Sequence, residues 1–345
     1  MQKPFFSIII PAYNLENYIA AALQSVLVQT FQDFEIIIVD DGSSDETVSI
    51  IQSFHDPRIR LVSQVNGGVS RARNAGMKKA VGAYIAFLDG DDYWYPEHLE
   101  LAADFFNRHP EILAYANRYM RDELEAIPPR PPSYPESIRR LGIRGMLFMN
   151  SSSVILNSSL ASRLPPWEEA MPYGEDGLYW TRCMRGTGLI GLGGSVTSIY
   201  RQRASSAMHD EHYQHVSLHS LIAPLLNELE AMKNPKWQFA VHYLVIRELH
   251  PKRLLSLNAE ERISLTGRIR KIMHPCLNRP FLDSYMKACS ARAGMEQSFS
   301  ALMDRTMFSC KWLDRLERMG RSLFFRLQTN NGMESKHQDP VRSRS

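Results

Sequence analysis

Three short runs that are apolar at nearly every position, "SIIIPA" at 7–12, "FEIIIVD" at 34–40 and "YIAFL" at 84–88, constrain the fold of this chain more than any other feature. The segments between them change period. "LENYIAAALQSVLVQT" places Tyr18, Ala22, Leu23, Val26 and Leu27 at helical spacing, "SDETVSIIQSF" reads as a helix with Ser44 or Asp45 as its cap, and "GVSRARNAGMKKAV" as another. "IRLVSQ" adds a short strand. Strands that do not alternate with polar residues are covered on both faces, so the pattern predicts an α/β fold: a mostly parallel central sheet flanked by helices, with right-handed crossovers. Ligand crevices in such sheets form at the carboxyl ends of the strands. Tyr13, Asp40, Asp41 and the acids of "DGDD" at 89–92 are thereby expected on one rim.

Composition limits what else the chain can be. Its 345 residues, 44% hydrophobic and 22% charged, suffice for one large or two modest globular domains. The net charge of +3 comes from the tail, where residues 311–345 carry eight Lys and Arg against four Asp and Glu. A nearly neutral body argues against wrapping nucleic acid. Cys183, Cys276, Cys289 and Cys310 are widely spaced, which suggests reduced thiols rather than a zinc site or a disulfide framework. The N-terminal apolar run is too short for a signal peptide, and no later stretch reaches the roughly 18 apolar residues of a membrane span. A cytoplasmic protein, peripheral at most to the inner face of a membrane, is the expectation.

Beyond "PEHLELAADFFNRHPEILA" the pattern is less regular. "AIPPRPPSYPES" reads as an extended surface loop or lid, "SSSVILNSSL" as a short strand, "YGEDGLYWTRCMRGTG" as a helix with acids at its start, and "GLIGLGGSVTSIYRQR" as the approach to another strand. A catalytic domain over 1–206, a helical C-terminal region over 207–328 and a disordered tail over 329–345 are expected. In "CKWLDRLERMGRSLFFRLQ", Arg315, Arg318, Arg321, Arg326 and Lys311 alternate with apolar residues. That pattern suits a membrane-surface helix and an ordinary packing helix equally.

The acids carry the chemistry. Carboxylates crowded on a loop after a buried strand repel one another unless a hard cation such as Mg²⁺ or Mn²⁺ satisfies them, often together with substrate phosphates. Gly90 between Asp89 and Asp91 permits close approach of backbone and ligand. A solvated turn capping the following helix accounts for "DGDD" equally well, and Asp92 in particular reads as local structure.

Five motifs in order, "SIIIPAYN", "SVLVQTFQDFEIIIVDDGSSDET", "NGGVSRARNAGMKKAVGAYIAFLDGDD", "GEDGLYW" and "YRQRASS", resemble the inverting family 2 glycosyltransferases, which have the A-type nucleotide-sugar-binding fold. The resemblance covers the first 206 residues or so. It implies that Pro11, Ala12 and Tyr13 line the nucleotide base, with the Tyr13 ring available for stacking. Asp41 would accept a hydrogen bond from the base while Asp40 holds the turn. Asn66, Gly67, Arg73 and Asn74 would flank the nucleotide, although Arg73 is also a plausible solvated helix residue. Asp89-Gly90-Asp91 corresponds to the DxD motif, with Asp91 as a ligand of Mn²⁺ or Mg²⁺ and Asp89 on the ribose or the metal.

Glycosyl transfer also needs a base on the face away from the leaving diphosphate. By the same resemblance Asp176 is that base, and Glu175 contacts or orients the acceptor. Acids at a helix start also simply complement the dipole. Where relatives carry a histidine after the Tyr-Arg pair, this chain has Gln202 and Arg203; Arg201 or Arg203 could then face the diphosphate, and His209 and His212 are weak substitutes. Trp94, Tyr95 and Trp167 could stack on a sugar or simply pack, and Trp180 reads as core.

The expected partners are a nucleotide-sugar donor, most simply a UDP-sugar, and a glycan or glycolipid acceptor of surface polysaccharide or lipopolysaccharide synthesis. The rivals are a nucleotidyltransferase, which would need a glycine-rich basic loop after the first strand, and a nonenzymatic nucleotide- or sugar-binding protein. No GxGxxG follows the first strand, which disfavours a dinucleotide-dependent oxidoreductase.

Overall fold

The apolar runs are neighbouring parallel strands in the computed structural model, which describes residues 3–122, 133, 135–139, 149–202, 218–231 and 245. Strand β1 (Phe6–Ala12) lies between β2 (Phe34–Asp40) and β4 (Tyr84–Phe87), and β3 (Ile59–Ser63) pairs with β2 in the same direction. Helices α1 (Ile19–Leu27), α2 (Thr47–Gln52) and α3 (Val69–Met77) make the crossovers.

Alternation along each strand explains why these runs are apolar throughout. Ile8, Ile10, Ile36 and Ile38 join one buried cluster with Ile19 and Leu23 of α1, whereas Ile37 and Val39 meet Ala72 of α3. Ile8, Ile9 and Ile10 have no exposed surface. Burying each such side chain contributes roughly 1.5–3 kcal/mol before conformational entropy is counted.

The second half of the sheet is mixed. Strand order is β3-β2-β1-β4-β8-β6-β9-β5, where β5 is Tyr93–Trp94, β6 Ala114–Asp122, β8 Val154–Asn157 and β9 Ile190–Arg201, with β7 (Ser137–Arg139) also on β9. Strand β8 (Val154–Asn157) runs antiparallel to both β4 and β6 (Ala114–Asp122), while β9 (Ile190–Arg201) is parallel to β6. The parallel expectation therefore describes the first four strands, and antiparallel pairs enter beyond them. "SSSVILNSSL" is a strand only over Val154–Asn157; its first serines form the 3₁₀ turn Ser151–Ser153, and Ser158–Ala161 is a single helical turn.

Helix α4 (His98–Arg108) follows the two-residue β5 (Tyr93–Trp94), which pairs with β9. Helix α2 starts after Glu46, and the predicted cap Asp45 still accepts from Thr47 N at 3.0 Å. The proline-rich segment lies mostly outside the described residues, but Glu136 near its end pairs with Arg108 at 2.8 Å. The boundary at 206, the basic C-terminal helix and the 329–345 tail lie outside the described residues. One element of the C-terminal region, the Leu218–Ala231 helix, buries Ile222, Leu225, Leu226 and Leu229, and its Glu228 pairs with Arg182 and Arg185 at 2.9 Å each.

Candidate active site

The carboxyl ends of β1, β2 and β4 meet at one rim, where backbone N–H groups hold the acids. Asp40 Oδ1 accepts from Ser43 N at 3.0 Å. Asp41 accepts from Gln64 Nε2 at 2.7 Å, Gly67 N at 3.0 Å and Gly68 N at 2.7 Å, which closes the "NGG" loop onto the end of β2. Both acids thus brace turns. Pro11 and Ala12 are buried, Tyr13 is 49% exposed, and Asn66 is exposed across the same rim. Asn14, at φ 50°, ties this end of β1 to the next loop by donating to Ser43 Oγ (3.0 Å) and accepting from Ser44 N (2.9 Å).

Two of the three acids after β4, Asp89 and Asp92, have different partners. Asp89 Oδ1 accepts from Arg73 Nη2 at 2.7 Å. Asp91 is partly exposed. Asp92 is 1% exposed and accepts from Ser152 Oγ at 2.5 Å and Arg201 N at 3.0 Å, so it is an internal brace rather than a cap of α4. Burial, reinforced by the charges of Asp91 and Asp89, pushes the Asp92 carboxyl well above the usual range. Gly90 also serves packing: a Cβ there would lie 2.7 Å from Leu15 Cδ1 and 3.0 Å from the Pro11 carbonyl oxygen, so a side chain would press on the end of β1.

Arg73 is not a solvated helix residue. It is 3% exposed on α3, and its second ion pair, Nη1 to Glu175 Oε1 at 2.9 Å, reaches the helix Glu175–Thr187. The guanidinium also stacks 4.4 Å over the Trp167 ring, itself 3.9 Å from the Tyr179 ring. Asn74 completes the joint: its Nδ2 donates to the Trp167 carbonyl at 2.9 Å, and Oδ1 accepts from Trp167 N at 2.9 Å. The side chains of Arg73 and Asn74 are thus given to the seam between the two halves of the site.

Glu175 and Asp176 open their helix as expected, after Gly174 at φ 75°. Asp176 is partly exposed and accepts from Gly177 N at 2.6 Å. Glu175 is buried. Burial first, then the neighbouring charge of Asp176, raises its carboxyl to about 7 against the opposing pull of Arg73.

Arg201 comes to the same place through its backbone N–H on Asp92, and its guanidinium lies 5.4 Å over the Tyr18 ring. Arg203, His209 and His212 lie outside the described residues. The aromatic candidates pack: Trp94 and Trp180 are 0% exposed, Trp167 1% and Tyr95 7%. Trp94 stacks on His98 at 4.1 Å and donates to the Ser152 carbonyl at 2.6 Å. Among the described residues no group of three or more His, Cys, Asp and Glu could hold a metal ion. The oxygen donors of Asp89 and Asp91 suit Mg²⁺ or Mn²⁺ when a bound phosphate supplies further ligands.

Sequence reasoning missed Ser152. Its hydroxyl accepts from Asp89 N at 3.0 Å while donating to Asp92. The available signal was three adjacent serines before an apolar strand, all of them buried in the fold.

Comparisons with known proteins agree with this architecture. A family model described as Glycosyl transferase family 2 matches residues 7–160. Escherichia coli UDP-Glc:alpha-D-GlcNAc-diphosphoundecaprenol beta-1,3-glucosyltransferase WfgD is 32% identical over 212 residues, 60% of this chain and 80% of WfgD. The uncharacterized glycosyltransferase EpsJ of Bacillus subtilis (strain 168) is 50% identical over 92 residues, 26% of this chain and 27% of EpsJ. Three uncharacterized glycosyltransferases from Rickettsia are also matched over less than two thirds of their length, 19%, 20% and 59%. S. aureus TarS 1–349 in complex with UDP-GlcNAc shares the fold, with TM-score 0.62 at 20% identity, over 88% of this chain and 91% of that one. No helix among the described residues is long and apolar enough to cross a membrane.

Proposed function

We propose, from the premise that this chain belongs to glycosyltransferase family 2, that it transfers a sugar from a UDP-sugar to a hydroxyl of a glycan or glycolipid acceptor. Transfer inverts the anomeric carbon and depends on Mn²⁺ or Mg²⁺. The observation that carries this reading is the Arg73 fork, in which one guanidinium joins Asp89 of the "DGD" loop to Glu175 beside Asp176. A donor-side acid and a candidate base thereby belong to one site. UDP is favoured by the names of two similar proteins, WfgD with UDP-Glc and the TarS fragment with UDP-GlcNAc. WfgD's name also gives a diphosphoundecaprenol-linked acceptor, which favours surface-glycan assembly here and peripheral membrane contact through the basic C-terminal segment.

In this reading Tyr13 stacks on the base, Asn66 and Gly67 border the nucleotide, and Asp91 with Asp89 would hold the metal. A metal held there would supply positive charge to offset that of the departing diphosphate. Arg201 adds a cation for the same oxygens. The acceptor oxygen attacks the anomeric carbon on the face opposite the diphosphate, the bond to the diphosphate breaks, and the acceptor proton passes to Asp176. Gly177 N–H and the helix N-terminus face the Asp176 carboxyl, while Glu175, gripped by Arg73, fixes where that helix starts.

A second assignment, Glu175 as the base, is favoured by its carboxyl near 7, well matched to proton removal at neutral pH. Asp176→Asn and Glu175→Gln separate the two: the first is expected to abolish UDP release from donor plus acceptor and the second to reduce it. The reading as a whole is tested by thermal unfolding with Mn²⁺ and UDP, GDP or NAD. UDP should raise the midpoint; a chain that no nucleoside diphosphate stabilises does not have this function.

A further inference from the structure

We propose that Ser152 and Asp92 are positioning residues that fix the "DGD" loop relative to Arg201, an inference that rests on the donor-site reading above. Neither residue needs to touch the donor. The Ser152 hydroxyl stands between two parts of the loop, accepting from the Asp89 amide at 3.0 Å and donating to the Asp92 carboxylate at 2.5 Å. The other Asp92 oxygen accepts from Arg201 N at 3.0 Å. One two-residue bridge therefore joins the backbone of Asp89, on the metal side of the loop, to that of the arginine at the end of β9.

The bridge is rigid on its own account. Ser152 is 0% exposed and Asp92 1%, so water does not compete for these bonds. Ser152 is held at its remaining polar groups too: its N–H donates to Asn150 Oδ1 at 2.7 Å, and its carbonyl accepts from Trp94 Nε1 at 2.6 Å. Asp92 N also donates to the Asp89 carbonyl at 2.9 Å, closing the loop on itself. Asp92 thus differs in role from Asp89 and Asp91, although the three stand within four consecutive positions.

Ser153 supplies an internal control. It lies in the same turn, is 2% exposed, and its hydroxyl donates only to the Asn150 carbonyl at 2.7 Å among the bonds described. A merely structural role for the turn makes Ser152→Ala and Ser153→Ala equivalent. A positioning role separates them.

The test uses the full chain and titrates UDP in Mn²⁺ by calorimetry, with hydrogen–deuterium exchange of peptides spanning 88–93 and 199–202. Ser152→Ala and Asp92→Asn should weaken UDP binding about tenfold, the size expected for losing a hydrogen bond to a charged group. Both should speed exchange in the two peptides. Ser153→Ala should leave UDP affinity within twofold of wild type whatever it does to the melting midpoint. If wild type binds UDP and Ser152→Ala binds it equally well, or if the two serine variants lose affinity in parallel, the positioning role is overturned while the donor-site reading stands. If wild type itself binds no UDP, the donor-site reading fails and takes the positioning role with it.

Discussion

The two walls of the crevice are held by different means. At the end of β2 the acids are held mainly by backbone of the same wall: Asp40 on Ser43 N, Asp41 on the amides of Gly67 and Gly68. In residues 149–202 the decisive anchors are side chains distant in sequence, with Glu175 on Arg73 across 102 positions and Trp167 on Asn74 across 93. The β2 end of the donor wall is therefore largely a product of local chain geometry, whereas the "DGD" loop and the acid-bearing wall depend on how the two halves dock.

Arg73→Ala attacks that dependence most severely. It leaves Asp89 and Glu175 without their shared cation, and breaking a buried ion pair from one side costs about 3–5 kcal/mol. Urea unfolding should show this loss, and Arg73→Lys should recover only part of it because an ammonium lacks the planar fork. A loss below about 1 kcal/mol would remove Arg73 as the joint between the walls. On the donor wall, Gly90→Ala should cost about 1–3 kcal/mol through overpacking against Leu15 and Pro11. Donor affinity should fall with it, since the "DGD" loop must shift; unchanged UDP affinity would mean the loop tolerates the methyl.

Tyr13→Ala should leave the fold alone, because the ring is half exposed, and weaken UDP binding by about 1 kcal/mol through lost stacking. Equal calorimetric affinity would take Tyr13 off the base. The smallest effect is a slope. With the Glu175 carboxyl raised from 4.5 to about 7, the native state binds more protons than the unfolded chain across that interval, so this group makes stability fall as pH rises through it. Asp92, raised in the same direction, adds to the fall. Glu175→Gln should flatten the pH dependence of the unfolding free energy between those values; an unchanged slope would mean that Glu175 titrates normally.

The same contrast explains what could be read beforehand. Apolar runs and strand-end acids signal β1, β2 and β4 because burial on both faces leaves a mark on every residue. Strand β6 left no such mark: "AYANRYMRD" includes the exposed Arg118 and Arg121 in its outer half. The motif residues of the acid wall, Glu175 and Asp176, could be named by resemblance, but Arg73 as the partner of Glu175 could not, since nothing local distinguishes a buried arginine on a helix from a solvated one. Asp92 reads in sequence only as local structure of the turn, because the partners that make it an internal brace, Ser152 and Arg201, are 60 and 109 positions away.

The central claim is that donor binding and proton transfer are divided between these walls, at Asp91 and Asp176. The direct measurement is calorimetric UDP binding in Mn²⁺ beside single-turnover transfer for Asp91→Asn and Asp176→Asn. The account predicts that Asp91→Asn loses most of the metal-dependent affinity, while Asp176→Asn binds UDP like wild type and transfers at least about 10²-fold more slowly. An Asp176→Asn protein that still transfers at the wild-type rate, or that fails to bind UDP, would contradict it.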